Sequence, residues 1–420
     1  MNAEIIAVGS ELLTPHRSDT NSLFLTAHLN GMGVDVVYKT IVGDDRARLT
    51  ETIALAWNRS PMVITIGGLG PTEDDLTREC AARALGRSLM KEASLVESIE
   101  SRFRARGMHM PEINLRQALR IDGAAILDNP KGTAPGQWIE QGGKVLMLLP
   151  GPPRELEPMF LAACLPRLRE LVPKAALATR VLRIVGLTES AVEQLAAPIY
   201  TQYTNPITTI LAAPGEVQLH LKGFGESMGA AEAGVSELLP RLEQAIGESV
   251  FSIDGASLEE VVGRELHARH ASIAVAESCT GGLLAERITK ISGSSNYFLG
   301  GVVCYSNAWK SKWLNVSSEL IEAHGAVSSS VAEAMAEGVR RRSGATYGVG
   351  ITGIAGPAGG TVEKPVGLVF IALAGPRGTA VLEKHCYGER ELVRWQATQS
   401  ALDMVRRAIA KERHLAAPRS

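Results

Sequence analysis

Cysteine is scarce in this 420-residue chain: Cys80, Cys164, Cys279, Cys304 and Cys386 are scattered, odd in number, and form no C-x-x-C pair. That argues against a zinc site or a disulfide frame and fits a reducing, cytoplasmic setting. Excess charge is missing too. A net charge of −2 supplies no electrostatic case for nucleic acid or an anionic membrane as partner. No apolar run approaches the roughly 20 residues of a membrane-spanning helix. Met1-Asn2-Ala3-Glu4 lacks the basic start of a signal peptide and leads directly into a strand-like run. What remains, 45% hydrophobic and 21% charged residues, is ordinary globular composition. At this length a single core does not suffice, so two or three domains are expected.

The most informative stretch runs from Ala274 to Lys310, A-V-A-E-S-C-T-G-G-L-L-A-E-R-I-T-K-I-S-G-S-S-N-Y-F-L-G-G-V-V-C-Y-S-N-A-W-K. Ile273 to Ala276 predicts a short buried strand, Thr280-Gly281-Gly282 breaks it, and Leu283, Leu284 and Ile288 resume at helical spacing. A polar loop between a strand and a helix start offers free backbone N–H groups and a positive dipole end. Further on, Ser295 follows Gly293-Ser294, Tyr305 closes the apolar run from Phe298 to Cys304, and Lys310 lies five residues beyond. Hydrolysis of an unactivated amide needs an activated nucleophile, a base and donors for the oxyanion. A serine with a lysine whose proton is lost through desolvation meets the first two needs, and a tyrosine beside them can relay a proton. Cys279, inside the loop, is an alternative nucleophile.

The N-terminal part alternates strand and helix: strands at Ala3 to Val8, Val34 to Val42 and Met62 to Ile66, with a helix after each. This is a doubly wound α/β pattern. Its third strand enters Gly67-Gly68-Leu69-Gly70-Pro71-Thr72, a phosphate-binding geometry without a G-x-G-x-x-G or Walker signature. Gly68, Gly70 and Thr72 are candidate ligand contacts. Asp74 and Asp75, expected in the first turn of the next helix, are candidate holders of a divalent cation, or simply suit the helix dipole. Glu11 and Asp44 lie at other strand ends and are candidates to converge on the same crevice. Asn129-Pro130-Lys131-Gly132-Thr133 forms a second polar loop in which Lys131 and Thr133 are phosphate candidates.

A boundary is expected from Pro166 to about Pro173. Beyond it, Ile207 to Ala212 and Val217 to Leu221 predict a hairpin within a small α+β unit that has no G-x-x-G loop and no basic stripe, as RNA binding would require. Near the C-terminus, Thr352-Gly353-Ile354-Ala355-Gly356-Pro357 is a glycine-broken turn after a strand, able to present amides to an oxyanion or a phosphate. Arg390 and Arg394 open the last helix, and either guanidinium suits a phosphate.

E-S-C-T-G-G, G-S-S-x-x-F-x-G-G-V-V-x-Y-S-N-x-x-K and G-I-T-G-I-A-G-P resemble the C-terminal domain of the CinA family, the nicotinamide mononucleotide deamidases. G-G-L-G-P-T-x-D-D-L-T and N-P-K-G-T-A-P-G resemble the other domain of full-length CinA, so the likeness covers nearly the whole chain. The resemblance implies three parts: a doubly wound MoaB/MogA-like domain at 1–168, a KH-like α+β spacer at 175–254, and an α/β deamidase domain at 256–414. It implies Ser295 as nucleophile, Lys310 as base and Tyr305 as assisting group. Ser278, Thr280, Gly281, Thr352 and Gly353 would shape the substrate and oxyanion site. It also implies a homodimer, a pyridine nucleotide substrate with no cofactor for deamidation, and ADP-ribose pyrophosphatase activity in the N-terminal domain with a divalent cation (Mg, Mn or Co) and K+. No Nudix box is present, so that second activity would need another ligand arrangement. The family pattern has glycine shortly after G-x-E-L-L, where this chain has Pro15-His16. Other readings of the same sequence are a non-catalytic competence or DNA-damage adaptor and a molybdopterin-binding protein.

Overall fold

The computed structural model describes residues 1–105, 107–172 and 176–416. They cluster into two compact units: Met1–Leu177 with Phe224–Ala231, and Ala178–Gly223 with Glu232–Ser420. The expected boundary end at Pro173 and the start of the spacer at 175 lie outside the described residues.

The first unit contains strands β1 (Asn2–Val8), β2 (Asp35–Val42), β3 (Met62–Ile66), β4 (Leu89–Lys91), β5 (Leu119–Ile121), β6 (Ala125–Leu127), β7 (Gly136–Gln141) and β8 (Lys144–Leu149). Six of them form one sheet in the order β2-β1-β3-β8-β7-β6, while β4 and β5 pair separately. β1 is parallel to both β2 and β3, and β3 to β8, so their carboxyl ends point one way. Every residue of β3 is buried, as a parallel strand covered on both faces requires. The chain leaves β1 toward β2 and then crosses to β3 on β1's other side. That reversal opens a crevice at the carboxyl ends of β1 and β3. Asp19 and Asp45 cap the first two helices by accepting the Ser22 and Arg48 amides, at 2.9 and 2.8 Å. The third helix starts at Thr77, so Asp74 and Asp75 occupy the turn before it and not its first turn. Their acidity therefore answers to that turn and its neighbours, not to a helix dipole.

The second unit begins with β9 (Ala176–Val185), β10 (Ile207–Ala213), β11 (Glu216–Gly225) and β12 (Val250–Ser252), a four-stranded sheet in the order β10-β11-β9-β12. The hairpin expected over Pro214-Gly215 is formed by β10 and β11 in antiparallel register. The same unit continues with β13 (Ile273–Glu277), β14 (Phe298–Val303), β15 (Tyr347–Gly353), β16 (Leu368–Gly375) and β17 (Gly378–His385). Their order is β14-β13-β15-β16-β17, with β13 parallel to β14 and β15. This sheet has its own reversal, between β13 and β15, and hence a crevice at their carboxyl ends. Val185 and Phe251 of the spacer share one buried cluster with Val262, Ile273, Leu284, Ile351 and Leu402. Thr352 and Gly353 belong to β15 itself, and only Ile354 onward forms the turn. A Cβ on Gly353 would press on Leu368 O and Val369, which explains glycine there as strand packing.

Candidate active site

β13 ends at Glu277, and the chain turns through Ser278-Cys279-Thr280-Gly281-Gly282 into the short helix Leu283–Thr289. Glu277 is buried, and its carboxylate accepts the Gly282 and Leu284 amides on Oε2 at 3.1 and 3.0 Å and the Ala285 amide on Oε1 at 2.9 Å. One side chain thus satisfies three donors of the turn and the helix start, which holds the loop by its open amides. Gly281 and Gly282 have positive φ, +59° and +97°, the conformation this tight turn demands and glycine adopts freely. The Ser278 amide donates to Ile351 O of β15 at 2.9 Å, placing its hydroxyl over the sheet's carboxyl edge.

Lys310 reaches the same point from the helix Asn307–Leu314, which Ser306 caps through the Trp309 amide. Its side chain is 1% exposed, and Nζ donates to Ser278 Oγ at 3.1 Å and to Cys304 O at 3.0 Å. Burial lowers the lysine pKa from its ordinary value. Desolvation, with a hydroxyl and a carbonyl rather than a carboxylate as hydrogen-bond partners, penalises the ammonium form, which is the direction a lysine base requires.

Ser295 does not belong to this pair. It lies in the short turn Ser294–Asn296, exposed, just before β14 begins at Phe298. The Ile273 amide donates to Tyr297 O, so that turn sits at the amino end of the sheet. Lys310 and Ser278 sit at the carboxyl end, so a strand of six residues, about 20 Å, intervenes. The expected pairing of Ser295 with Lys310 is therefore not formed, and the hydroxyl that Lys310 meets is that of Ser278. Motif resemblance pointed to Ser295, which is also the nearer of the two to Lys310 along the chain, whereas parallel strands bring like ends together. Cys279 is not a competing nucleophile: it is buried, and burial pushes its thiol up to about 12.

Tyr305, exposed, accepts a hydrogen bond from Arg390 Nη2 at 3.0 Å, while Arg390 Nη1 donates to Gly356 O at 2.8 Å. Arg394 is committed differently, with Nε and Nη2 both on Thr280 O at 3.1 and 2.7 Å. The Thr280 hydroxyl is wholly buried and without a protein partner. Thr352 donates its hydroxyl to Ala326 O at 2.7 Å and serves the neighbouring connector. Glu277 and Arg394's carbonyl clamp escaped sequence reading, although a glutamate directly before the serine and glycines four and five residues after it is the signal of a carboxylate turned back on a turn.

In the first unit, a cavity of about 390 Å³ opens at the carboxyl ends of β1, β3 and β8. Gly68, Gly70, Thr72, Thr133, Glu11, Asp44, Asp74 and Asp75 line it, joined by Gln117 and Glu155, which sequence reasoning missed. Lys131 stands outside that wall, exposed. Gly9 and Glu11 form the first loop's share of the lining, and Pro15-His16 take no part in it. Four successive carbonyls of the glycine loop are held from one side. Thr77 takes Gly67 O at 2.7 Å and Gly68 O at 3.1 Å, and buried Arg78 takes Leu69 O at 2.7 Å and Gly70 O at 2.9 Å. In trans peptides the intervening N–H groups point away from those carbonyls, so the Gly68, Leu69 and Gly70 amides are directed away from Thr77 and Arg78.

The expected cation set does not assemble. Asp44 accepts the Ser10 amide at 2.8 Å, and Asp75 accepts the Thr72 amide at 2.8 Å and its hydroxyl at 2.5 Å. Thr72 also helps hold Asp74 below its ordinary carboxylate pKa. Among the described residues no three His, Cys, Asp or Glu side chains form a group that could hold a metal ion. Two of these carboxylates brace loops instead: Asp44 ties the Ser10 turn to its own, and Asp75 closes its own turn on Thr72.

Three family models match in series: a probable molybdopterin binding domain over residues 4–170, a damage-inducible protein CinA KH domain over 179–252, and a CinA C-terminal domain over 255–409. A CinA-like protein of Koribacter versatilis is 54% identical over 413 residues, covering 97% of this chain and 100% of the relative. The chain belongs to the CinA family. A CinA-like protein of Solibacter usitatus is 50% identical, over 97% of this chain and 98% of the relative. Among solved structures, the competence/damage inducible protein CihA of Agrobacterium tumefaciens is 38% identical, covering 37% of this CinA-family chain and 97% of its own, with a TM-score of 0.35. No described helix is long and apolar enough to cross a membrane.

Proposed function

We propose that the C-terminal domain is an amidohydrolase converting nicotinamide mononucleotide to nicotinate mononucleotide and ammonia, with Ser278 as nucleophile and Lys310 as its base. The observation that carries this reading is the buried Lys310 amine 3.1 Å from Ser278 Oγ. Neutral Lys310 takes the hydroxyl proton as Oγ attacks the carboxamide carbon. The proton then passes to the departing nitrogen, which leaves as ammonia from an acyl-serine. Water attacks that ester, giving its proton to Lys310, which returns it to Ser278 Oγ as the nicotinate carboxylate leaves. The unpartnered Thr280 hydroxyl, two residues past Ser278, is our choice of donor to the oxyanion. Arg390, exposed beside Tyr305, is the candidate for the substrate's 5′-phosphate, since Arg394 is spent on Thr280 O. A non-catalytic adaptor gains nothing from desolvating a lysine against a serine, which costs free energy unless the neutral amine is used.

Incubating the purified protein with nicotinamide mononucleotide and measuring ammonia tests the reading directly; no release above the uncatalysed rate rejects it. The pH dependence is a second check. Because the folded pKa of Lys310 is lowered, the protein sheds this proton below the pH at which the unfolded chain would. Activity should therefore rise with pH through that lowered value and vanish below it. The same shift makes folded-state stability fall as pH drops from the ordinary lysine value toward the lowered one. Lys310→Arg, which stays charged, should give no rising limb at any pH.

A second reading concerns the glycine-loop cavity. We propose that it binds a phosphorylated nucleotide of the ADP-ribose kind on the amides of Gly68, Leu69 and Gly70. Gly68 has φ +66°, and a Cβ there would land on the Thr77 hydroxyl that anchors the loop. Gly68→Ala should weaken ADP-ribose binding by about tenfold or more in calorimetry, a loss of at least one good charge-assisted contact. Amide hydrolysis by the other unit should be unchanged.

A further inference from the structure

The spacer has no nucleic-acid signature, yet its hairpin tip has a specific seat. Pro214 O, in the β10–β11 turn, accepts the indole N–H of Trp395 at 2.7 Å. Gly215 beside it has φ +75°, and a Cβ there would lie 3.1 Å from Gln399 Cγ and 3.7 Å from Trp395 Cδ1. Both Trp395 and Gln399 are on the C-terminal helix Arg390–Ala416, one turn apart on one face. Their inner sides hold Arg287. Its guanidinium lies over the Trp395 ring at 4.1 Å, donates from Nη2 to Gln399 Oε1 at 2.5 Å, from Nη1 to Thr398 Oγ1 at 2.9 Å, and from Nε to Glu259 Oε1 at 3.0 Å. Arg287 is 2% exposed and belongs to Leu283–Thr289, the helix that leaves the Ser278 loop. Adjacent to Trp395, Arg394 clamps Thr280 O.

We infer that the β10–β11 hairpin is a positioning element for the Ser278–Gly282 loop, acting through Trp395 and Gln399 on the two arginines that tether that loop. The tip fixes the rotation of the helix face carrying Trp395 and Gln399. That face sets Arg287, which holds the helix after the loop, and the adjacent Arg394, which holds the Thr280 carbonyl within it. Arg287 is desolvated, so its hydrogen bonds tolerate little displacement before a buried donor is left unpaired. Continuity of the core from Val185 and Phe251 into Leu402 and Leu284 makes the path rigid. The kinetic consequence rests on the reading of Ser278 as nucleophile; the structural one does not.

Amide hydrogen exchange on the full-length protein tests it with three variants. Trp395→Phe keeps an aromatic ring on the Arg287 side and removes the five-membered ring with the N–H that Pro214 O accepts. Gly215→Ala puts a methyl group against Gln399. Gly186→Ala serves as control: it imposes the same kind of positive-φ strain, at +84°, where a Cβ meets nothing within 4 Å. Protection of residues 278–285 should fall about tenfold in the first two and stay at wild type in the control. With nicotinamide mononucleotide, kcat should fall in the same two variants by more than KM rises, because neither substitution removes a contact of Arg390, the phosphate candidate. Wild-type exchange across 278–285 in Trp395→Phe overturns the inference, and so does equal loosening by Gly186→Ala. If the loop loosens as expected but wild-type protein releases no ammonia, the positioning stands and the amidase reading fails. Should Gly215→Ala not fold, Trp395→Phe decides alone.

Discussion

Ser278→Ala is expected to reduce ammonia release from nicotinamide mononucleotide by about 10³-fold or more, the loss typical of removing a catalytic nucleophile. Ser295→Ala should leave kcat within about twofold, as befits an exposed turn residue about 20 Å away. The reason is geometric. Lys310 Nζ has two partners, Ser278 Oγ and Cys304 O, at the carboxyl edge of the sheet. Removing the serine hydroxyl leaves the amine with nothing to activate except water, so only slow background hydrolysis survives. Lys310→Met should be as severe, and the double variant Ser278→Ala/Lys310→Met no worse than either alone, since the two act as one unit. Steady-state ammonia assays on wild type and these four variants suffice. Full activity in Ser278→Ala with loss in Ser295→Ala would return the nucleophile to the far end of the sheet and rule out attack by Ser278.

Glu277→Gln is expected to destabilise the second unit by about 2–4 kcal/mol and to lower kcat at least tenfold. The buried carboxylate accepts three backbone N–H groups with two oxygens. An amide side chain presents one oxygen and an NH2, and that NH2 must face a backbone N–H. At least one donor at the start of Leu283–Thr289 is then left buried and unpaired, while the remaining bonds lose their charge assistance. The loop relaxes, and Ser278 leaves its line to Lys310. Urea denaturation gives the stability change, and a parallel measurement of kcat gives the second. A variant with wild-type midpoint and wild-type kcat would mean that the helix start is held by something other than this carboxylate.

Legibility in the sequence followed locality. Strand β3 and the hairpin over Pro214-Gly215 were readable because a β-branched, mostly apolar run, Met62-Val63-Ile64-Thr65-Ile66, or two runs around Pro-Gly, leave little alternative. Asp19, Asp45 and Ser257, residue types that favour helix N-caps, each accept the amide three residues on. The acidic run Glu73-Asp74-Asp75 looked like a helix beginning but forms a turn, because Asp75 folds back on Thr72 and the helix waits until Thr77. Glu11, Asp44, Asp74 and Asp75 do share a cavity wall, as strand-end positions in a doubly wound sheet predict. Whether they could hold a cation depended on side-chain direction, which residue type does not carry.

Residue order alone was enough for the family, the three-part layout, the two loops that matter and the lysine that loses its water. Each of these rests on motifs or short-range patterns in which neighbours along the chain are neighbours in space. Which serine that lysine meets was settled by the packed sheet. β13 and β14 run parallel, so Ser278, 32 residues away, reaches Lys310 at one end of the sheet, while Ser295, 15 residues away, is left at the other. Parallel pairing joins like ends of distant segments, and no local pattern encodes that.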